Sequence, residues 1–463
     1  MEIADNTTHQ YPSFNKAHQY PSFGAASYLM AVLIVAGILS YVDRQILSLL
    51  VQPIRADLHI TDTEFSLLHG FAFAILYAIL GLPLGRYADR ANRRNLIIAG
   101  VVFWSLATIA CGLAETYTQL FIARICVGIG EAALAPASVS MICDAYRDKS
   151  RGTALGVFNT SIYLGIGVSI VIGGVLLGMI KNQPVMDLPL FGLRKSWQAA
   201  FIIVGLPGLL LALFMLTLRE PARRTSVAAP PPLSEALAYF RKHRFLMIGL
   251  SAGFAFFALA AYGLSAWAPT FLLRQHGWPI PQAAVAYGVA VTIGGTLGVG
   301  LSGVAGDWWR NSGRIEARLL LSIGSMVFWT LFVVLAVNAS DGKVAVFQLG
   351  LAAFCSSVAI GAGGTALQDI VPDWLRGQAI AGYLLILNLL GLGTGPTVVA
   401  LVTDKVFHSD AALGKSIAAV GVPAIASGIL LVLLILRAYN RLSLEQADPN
   451  SPVRRMFEKA SAK

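Results

Sequence analysis

The sequence predicts an all-α membrane protein with twelve transmembrane helices in two pseudo-symmetric six-helix bundles. Three observations predict it. Of 463 residues, 56% are hydrophobic against 13% charged, with a mean hydropathy of +0.69, more apolar surface than soluble domains bury. Twelve apolar stretches follow one another, each near the ~20 residues needed to cross a bilayer core. Loop motifs of the first half recur in register in the second.

The elements follow in chain order. Residues 1–25 form a polar tail that repeats HQYPSF at 9–14 and 18–23, read as disordered and without chemistry. No secretory signal peptide is expected, because the first apolar run is long enough to span. The N-terminal bundle, 26–218, holds spans at about 26–52, 64–85, 95–114, 117–143, 152–179 and 197–217. Thr61 to Glu64 has capping-box spacing and predicts a helix start just before the second span. Residues 219–244, REPARRTSVAAPPPLSEALAYFRKHR, are basic and proline-containing, which makes them a cytoplasmic linker with a short surface helix from Ser234. The C-terminal bundle, 245–438, holds spans at about 245–272, 281–306, 316–337, 345–371, 377–403 and 412–438, and 439–463 is a second cytoplasmic tail.

The duplication is explicit. Gly85-Arg-Tyr-Ala-Asp89 after the second span recurs as Gly303-Val-Ala-Gly-Asp307 after the eighth. Asp144 with Arg151-Gly152 recurs as Asp369 with Arg376-Gly377, at the same seven-residue offset. Two coincidences in register argue for a repeated six-helix unit, the parallel-repeat plan of many secondary transporters.

Charge sets the orientation. Loops after even-numbered spans carry 17 Lys and Arg, and loops after odd-numbered spans carry 8. Basic residues are retained on the cytoplasmic side, so both termini are expected in the cytoplasm. The formal net charge of +10 is then a topology signal plus attraction to anionic lipid rather than a nucleic-acid surface. Cys111, Cys126, Cys143 and Cys355 lie in or at the ends of apolar spans, where packing outweighs metal or redox roles. Gly414-Lys415-Ser416 lacks the upstream glycine of a phosphate loop, and neither HExxH nor GxSxG occurs. Enzyme chemistry, ATP-driven pumping, cofactors and bound metal are therefore not expected.

Three stretches carry a family resemblance: GRYADRANRR at 85–94, Arg124-Ile-Cys-Val-Gly128-Ile-Gly130-Glu131 in span four, and Arg219-Glu220-Pro221 closing span six. Together they resemble the major facilitator superfamily over residues 26–440. Gly165-Ile-Gly167 in span five lacks the Gly-Pro typical of many antiporters of this superfamily, which argues against drug efflux. YVDRQILSLL (41–50), LHITDTEFSLLHGFAFAILYA (58–78) and RICVGIGEAALAPASVSMICD (124–144) resemble the Spinster family in particular. That resemblance implies a bacterial Spinster-like transporter, monomeric, in the inner membrane, whose substrate is a lysophospholipid or a sphingosine-1-phosphate-like lipid.

Candidate residues follow from cost and from resemblance. Asp43 and Arg44 are the only charges between Lys16 and Arg55. A charge near the bilayer centre is unfavourable by roughly 2.5–3.5 kcal/mol and usually faces a cavity or a partner. Arg124 and Glu131 lie seven residues apart on nearly one face of span four, about 10 Å by helix rise. In the superfamily's fold, spans one and four line the central cavity. The four are thus expected as one cluster, with Asp43 and Glu131 exchanging protons and Arg44 and Arg124 attracting an anionic head group; fixed ion pairing between the spans is the alternative. Tyr262, Trp267, Thr365, Tyr383 and Asn388 would supply hydrogen bonds and aromatic surface from the other half. His69 reads as structural rather than as a proton relay. Asp89, Arg90, Arg94, Asp144, Asp307 and Asp369 are gating candidates at the basic end, with Asp89 and Asp307 able to pair with the opposite half when that gate shuts.

The function expected is alternating-access transport of an amphipathic anionic lipid, coupled to protons. A proton-coupled symporter of a small organic anion or sugar-derived acid uses the same features, and a non-transporting sensor with a transporter fold is the third reading.

Overall fold

The computed structural model describes residues 20–446 apart from 89, 181–184, 224–232 and 373–374. The first HQYPSF copy, the start of the second, Asp89, most of the linker's proline stretch and the end of the C-terminal tail lie outside the described residues. Among the described residues, twelve helices are long and apolar enough to span a bilayer. The first half contains α1 (Phe23–Leu49), α2 (Val51–Leu58), α3 (Asp62–Ser66), α4 (Ala72–Ala88), α5 (Arg93–Leu113), α6 (Tyr117–Glu131), α7 (Leu134–Ala145), α8 (Asp148–Ile180) and α9 (Ser196–Met215). The linker helix α10 (Leu233–Lys242) leads into α11 (Arg244–His276), α12 (Ile280–Asn311), α13 (Ala317–Val337), α14 (Gly342–Asp369), α15 (Arg376–Ile386), α16 (Gly395–Leu401) and α17 (Leu413–Gln446).

Local chemistry explains several boundaries. The second HQYPSF copy ends as a helix start: the Ser22 hydroxyl accepts from the Ala25 N–H at 3.3 Å, so α1 begins three residues before the expected span. The Thr61–Glu64 capping box is formed, with both reciprocal bonds present. Span four is broken between α6 and α7, directly after Glu131. Pro136 has no N–H to give the Ala132 carbonyl, and the helix restarts at Leu134. Two spans are interrupted by π-helical turns, Leu67–Phe71 in the second and Leu387–Leu392 and Val402–Phe407 in the eleventh. One element is not helical. Val185–Leu188 and Gly192–Lys195 pair as an antiparallel hairpin, held to α2 by a Lys195–Asp57 ion pair and by Trp197 Nε1 donating to Asp57 at 2.9 Å.

The two halves meet through glycine faces. A Cβ on Gly167 of α8 would lie 2.6 Å from the Gly288 carbonyl of α12, and one on Gly70 would lie 2.6 Å from the Leu392 carbonyl. Eleven residues further along the same helix faces, Gly156 and Gly81 meet nothing within 4 Å. Gly382, eleven residues from Gly393, likewise meets nothing. Eleven residues are three turns, about 16 Å. All three open positions lie toward the end that carries the basic loops. The halves therefore touch from the level of Gly178 and Pro281 to that of Tyr163 and Gly295, and part further toward the basic end.

Candidate functional site

Spans one and four bring the four intramembrane charges together, as expected, and span two adds aromatic rings. Arg44 Nε donates to Glu131 Oε2 at 2.6 Å, and the Ser40 hydroxyl donates to the same oxygen at 2.5 Å. Glu131 Oε1 has no hydrogen-bond partner among the described residues. The Arg44 guanidinium is boxed by Tyr41, Phe73 and Tyr77, its carbon 5.0, 4.5 and 4.5 Å from the three ring centres. Arg124 lies over Phe73 at 5.8 Å, and its Nη1 donates to the Asp43 backbone carbonyl at 3.0 Å.

Asp43 differs from the pairing that sequence suggests. Its residue is 2% exposed, its Oδ1 has no hydrogen-bond partner, and its carboxylate makes no ion pair among the described residues. Arg44 is claimed by Glu131 instead. Arg124 Nε also lacks a partner. Arg44 is the cluster's most accessible member, its side chain 16% exposed where that of Glu131 is wholly buried. His69 is buried in the π-turn of span two, its Nδ1 unpartnered.

The other half contributes less than expected. The Thr365 hydroxyl donates back to the Gly361 and Ala362 carbonyls of its own helix. Trp267 is 1% exposed, and its Nε1 donates to the Pro396 carbonyl at 2.9 Å, so it braces the start of α16. Neither presents a free polar group to the cluster. Tyr383 packs edge-on against Phe254, with its buried hydroxyl unpartnered. Tyr262 packs against Gly391, and the partly buried Asn388 lies in the π-turn of span eleven. Gln45 Nε2 reaches Ser265 at 3.3 Å across the interface.

Among the described gating candidates, Asp144, Asp307 and Asp369 pair within their own halves. Asp307 accepts from Arg318 at 2.7 Å, and Asp369 is paired with Arg318 and Arg310 and accepts from the Tyr439 hydroxyl at 3.0 Å. Asp144 pairs with Arg93 at 2.5 Å. Arg94 donates to the Leu218 carbonyl, and Arg90 is exposed. Asp307 thus sits in an intra-half corner while the halves part at this end, and the contact with the opposite half expected on closure is not formed in this state.

Two groups escaped sequence reasoning. Arg93 is 0% exposed and also donates to Glu220 at 2.9 Å, to Ser140 at 3.0 Å and to the Pro221 carbonyl at 2.9 Å. The duplicated Asp144 and Asp369 were its signal, since each pairs with an arginine at the start of the preceding outer helix, Arg93 or Arg318. The second group is a latch at the end opposite the basic loops. Arg274 of the second half grips Asp62 of the first with two bonds, 2.6 and 2.9 Å. Arg55 lies 2.9 Å from both Asp62 and Asp410, while Asp404 accepts from the Thr63 N–H and hydroxyl at 2.9 and 2.6 Å. Oxygens of Asp62, Asp404 and Asp410 come within 4.8 Å of one another, but Arg55 and Arg274 pair with Asp62 and Asp410, so the cluster reads as a latch. Closed at this end and parted at the other, the bundle is poised for one-sided access.

A family model described as Major Facilitator Superfamily matches residues 33–396. The chain belongs to the major facilitator superfamily. An MFS-type efflux pump of Mycolicibacterium smegmatis is 30% identical over 81% of this chain and 84% of that protein. A probable L-galactonate transporter of Escherichia coli is 29% identical over 70% and 72%. The crystal structure of a bacterial homologue of the human lysosomal transporter Spinster, inward-facing and occupied, aligns with a TM-score of 0.71 at 25% identity, covering 93% of this chain and 100% of that one. The Spinster likeness read from the sequence is borne out. As a superfamily member this integral membrane protein is a transporter of organic substrates, not an enzyme.

Proposed function

We propose that this transporter moves an amphipathic anion of the lysophospholipid type by alternating access, coupled to protons, with its basic end in the cytoplasm of a bacterial inner membrane. The observation that carries the reading is a buried, unpaired Asp43 beside the Arg44–Glu131 ion pair. An anion entering from the basic end reaches Arg44 first and competes with Glu131 for it. Glu131 displaced from Arg44 in low dielectric is stabilised when the cluster takes up a proton, and Asp43, buried beside it with no ion pair of its own, is the acid that takes and releases that proton. Anion and proton binding are thereby linked, and neutralising the cluster removes the charge that resists closure of the basic end. The acyl chain of the substrate suits the second half, where no buried charge faces Arg44 among the described residues.

The L-galactonate relative favours a second reading, transport of a small organic acid through the same arginines. Proteoliposome uptake of labelled lysophospholipid and of labelled hexonate, each with and without a pH gradient, separates the two. The lipid reading expects gradient-dependent lysophospholipid uptake and is overturned by uptake of hexonate alone. Counterflow of either substrate excludes a non-transporting sensor.

Head-group recognition makes a narrower prediction. Arg44→Ala removes a charge-assisted contact of roughly 1.5–3 kcal/mol, so affinity for a lysophospholipid should fall about tenfold or more while that for a neutral monoacylglycerol changes little. Calorimetric titration in detergent measures both. Equal weakening of the two ligands contradicts the assignment.

A further inference from the structure

One sizeable cavity in the described residues lies away from the central cluster. It is a groove of about 760 Å³ on the outer face of the first half, between α5 and α6. Its walls are Phe103, Leu106, Leu113 and Ile122, which stand 39–56% exposed. Its floor is Ala107, Ala114 and Ala123, each under 9% exposed. From Ile122 and Phe103 the lining climbs to the α5–α6 turn, where Glu115 and Gln119 form the rim. Both helices are spanning segments, so this face meets lipid.

We propose that the groove is a specific site for a membrane aminophospholipid, one acyl chain lying along α5 and α6 and the ammonium of its head group on Glu115. Length fits first. The lining runs along α5 from Phe103 to its C-cap Ala114, eleven residue steps or about 16 Å, which is half of a ~30 Å hydrocarbon core and so the depth of one leaflet. Charge fits next. Glu115 is exposed at the rim and makes no ion pair among the described residues; its N–H is occupied by Gln119 Oε1 at 2.7 Å, leaving the carboxylate turned to its surroundings. A phosphatidylethanolamine head group supplies a compact hydrogen-bonding ammonium, whereas phosphatidylglycerol brings only negative charge. The groove's lower lining includes Cys126, two residues from Arg124, so a seated chain packs against α6 at the height of the charged cluster.

Native mass spectrometry of the full chain released from nanodiscs of equal phosphatidylethanolamine and phosphatidylglycerol tests this without reference to the transported substrate. The wild type should retain phosphatidylethanolamine over phosphatidylglycerol. Glu115→Gln should lower that preference about two- to fivefold, the scale of a solvent-facing charge pair. Ala110→Trp, at an exposed position on the groove wall, should fill the groove and lose retained lipid of both kinds while melting like the wild type. Lipid retained equally by Ala110→Trp overturns the site. An unchanged preference in Glu115→Gln, or none in the wild type, overturns the head-group assignment.

Discussion

Arg93→Ala is expected to abolish stable expression of the transporter. Arg93 is wholly buried and joins Asp144, Glu220, Ser140 and the Pro221 carbonyl, tying the start of α5 to the end of α7 and to the chain leaving α9. Removing one partner of a buried pair costs about 3–5 kcal/mol, because the remaining charges are left uncompensated. Arg93→Lys should recover little. The ammonium lacks the planar fork that lets Nε, Nη1 and Nη2 point to separate acceptors. Thermal unfolding followed by fluorescence size-exclusion measures both variants. A wild-type melting temperature for Arg93→Ala would show the corner to be dispensable.

Asp62→Asn should open the opposite end of the bundle. Asp62 is fully buried, lies 2.9 Å from Arg55 and accepts two bonds from Arg274 of the other half, so its charge joins the two halves. Asparagine keeps the volume but loses the charge-assisted bonds, each worth roughly 1.5–3 kcal/mol. A bias of that size shifts a two-state population by about tenfold or more. Spin labels at Thr118→Cys and Lys405→Cys, exposed positions on opposite halves at this end, read the change by pulsed electron resonance. The Asp62→Asn protein should gain a longer distance at the expense of the short one. An unchanged distribution would mean that packing at Gly70 and Gly167, rather than the latch, holds the end shut.

What was legible in the sequence is what the bilayer itself enforces. Twelve spans and the Thr61–Glu64 cap are local signals, readable from hydropathy and spacing. The Asp43, Arg44, Arg124 and Glu131 cluster was legible because an intramembrane charge needs a reason. Which acid takes which arginine was not. Asp43 and Arg44 are adjacent in sequence, yet successive helix positions point about 100° apart, and Arg44 turns to Glu131. The latch was hidden for a related cause: Asp62 and Arg274 are 212 residues apart, and each alone reads as an ordinary loop charge. Trp267 and Thr365 show the converse error, polar groups chosen by type whose hydrogen bonds are already satisfied by backbone.

Substrate uptake into proteoliposomes under an imposed pH gradient, compared between wild type and Asp43→Asn, tests the central claim most directly. Asparagine cannot take up or release a proton, and Asp43 has no ion pair here to lose, so the variant should fold normally. The wild type should accumulate substrate with the gradient. Asp43→Asn should exchange substrate at equal pH on both sides but fail to accumulate it when the gradient is applied. Wild-type accumulation by a well-folded Asp43→Asn protein would contradict the account and remove Asp43 as the proton site.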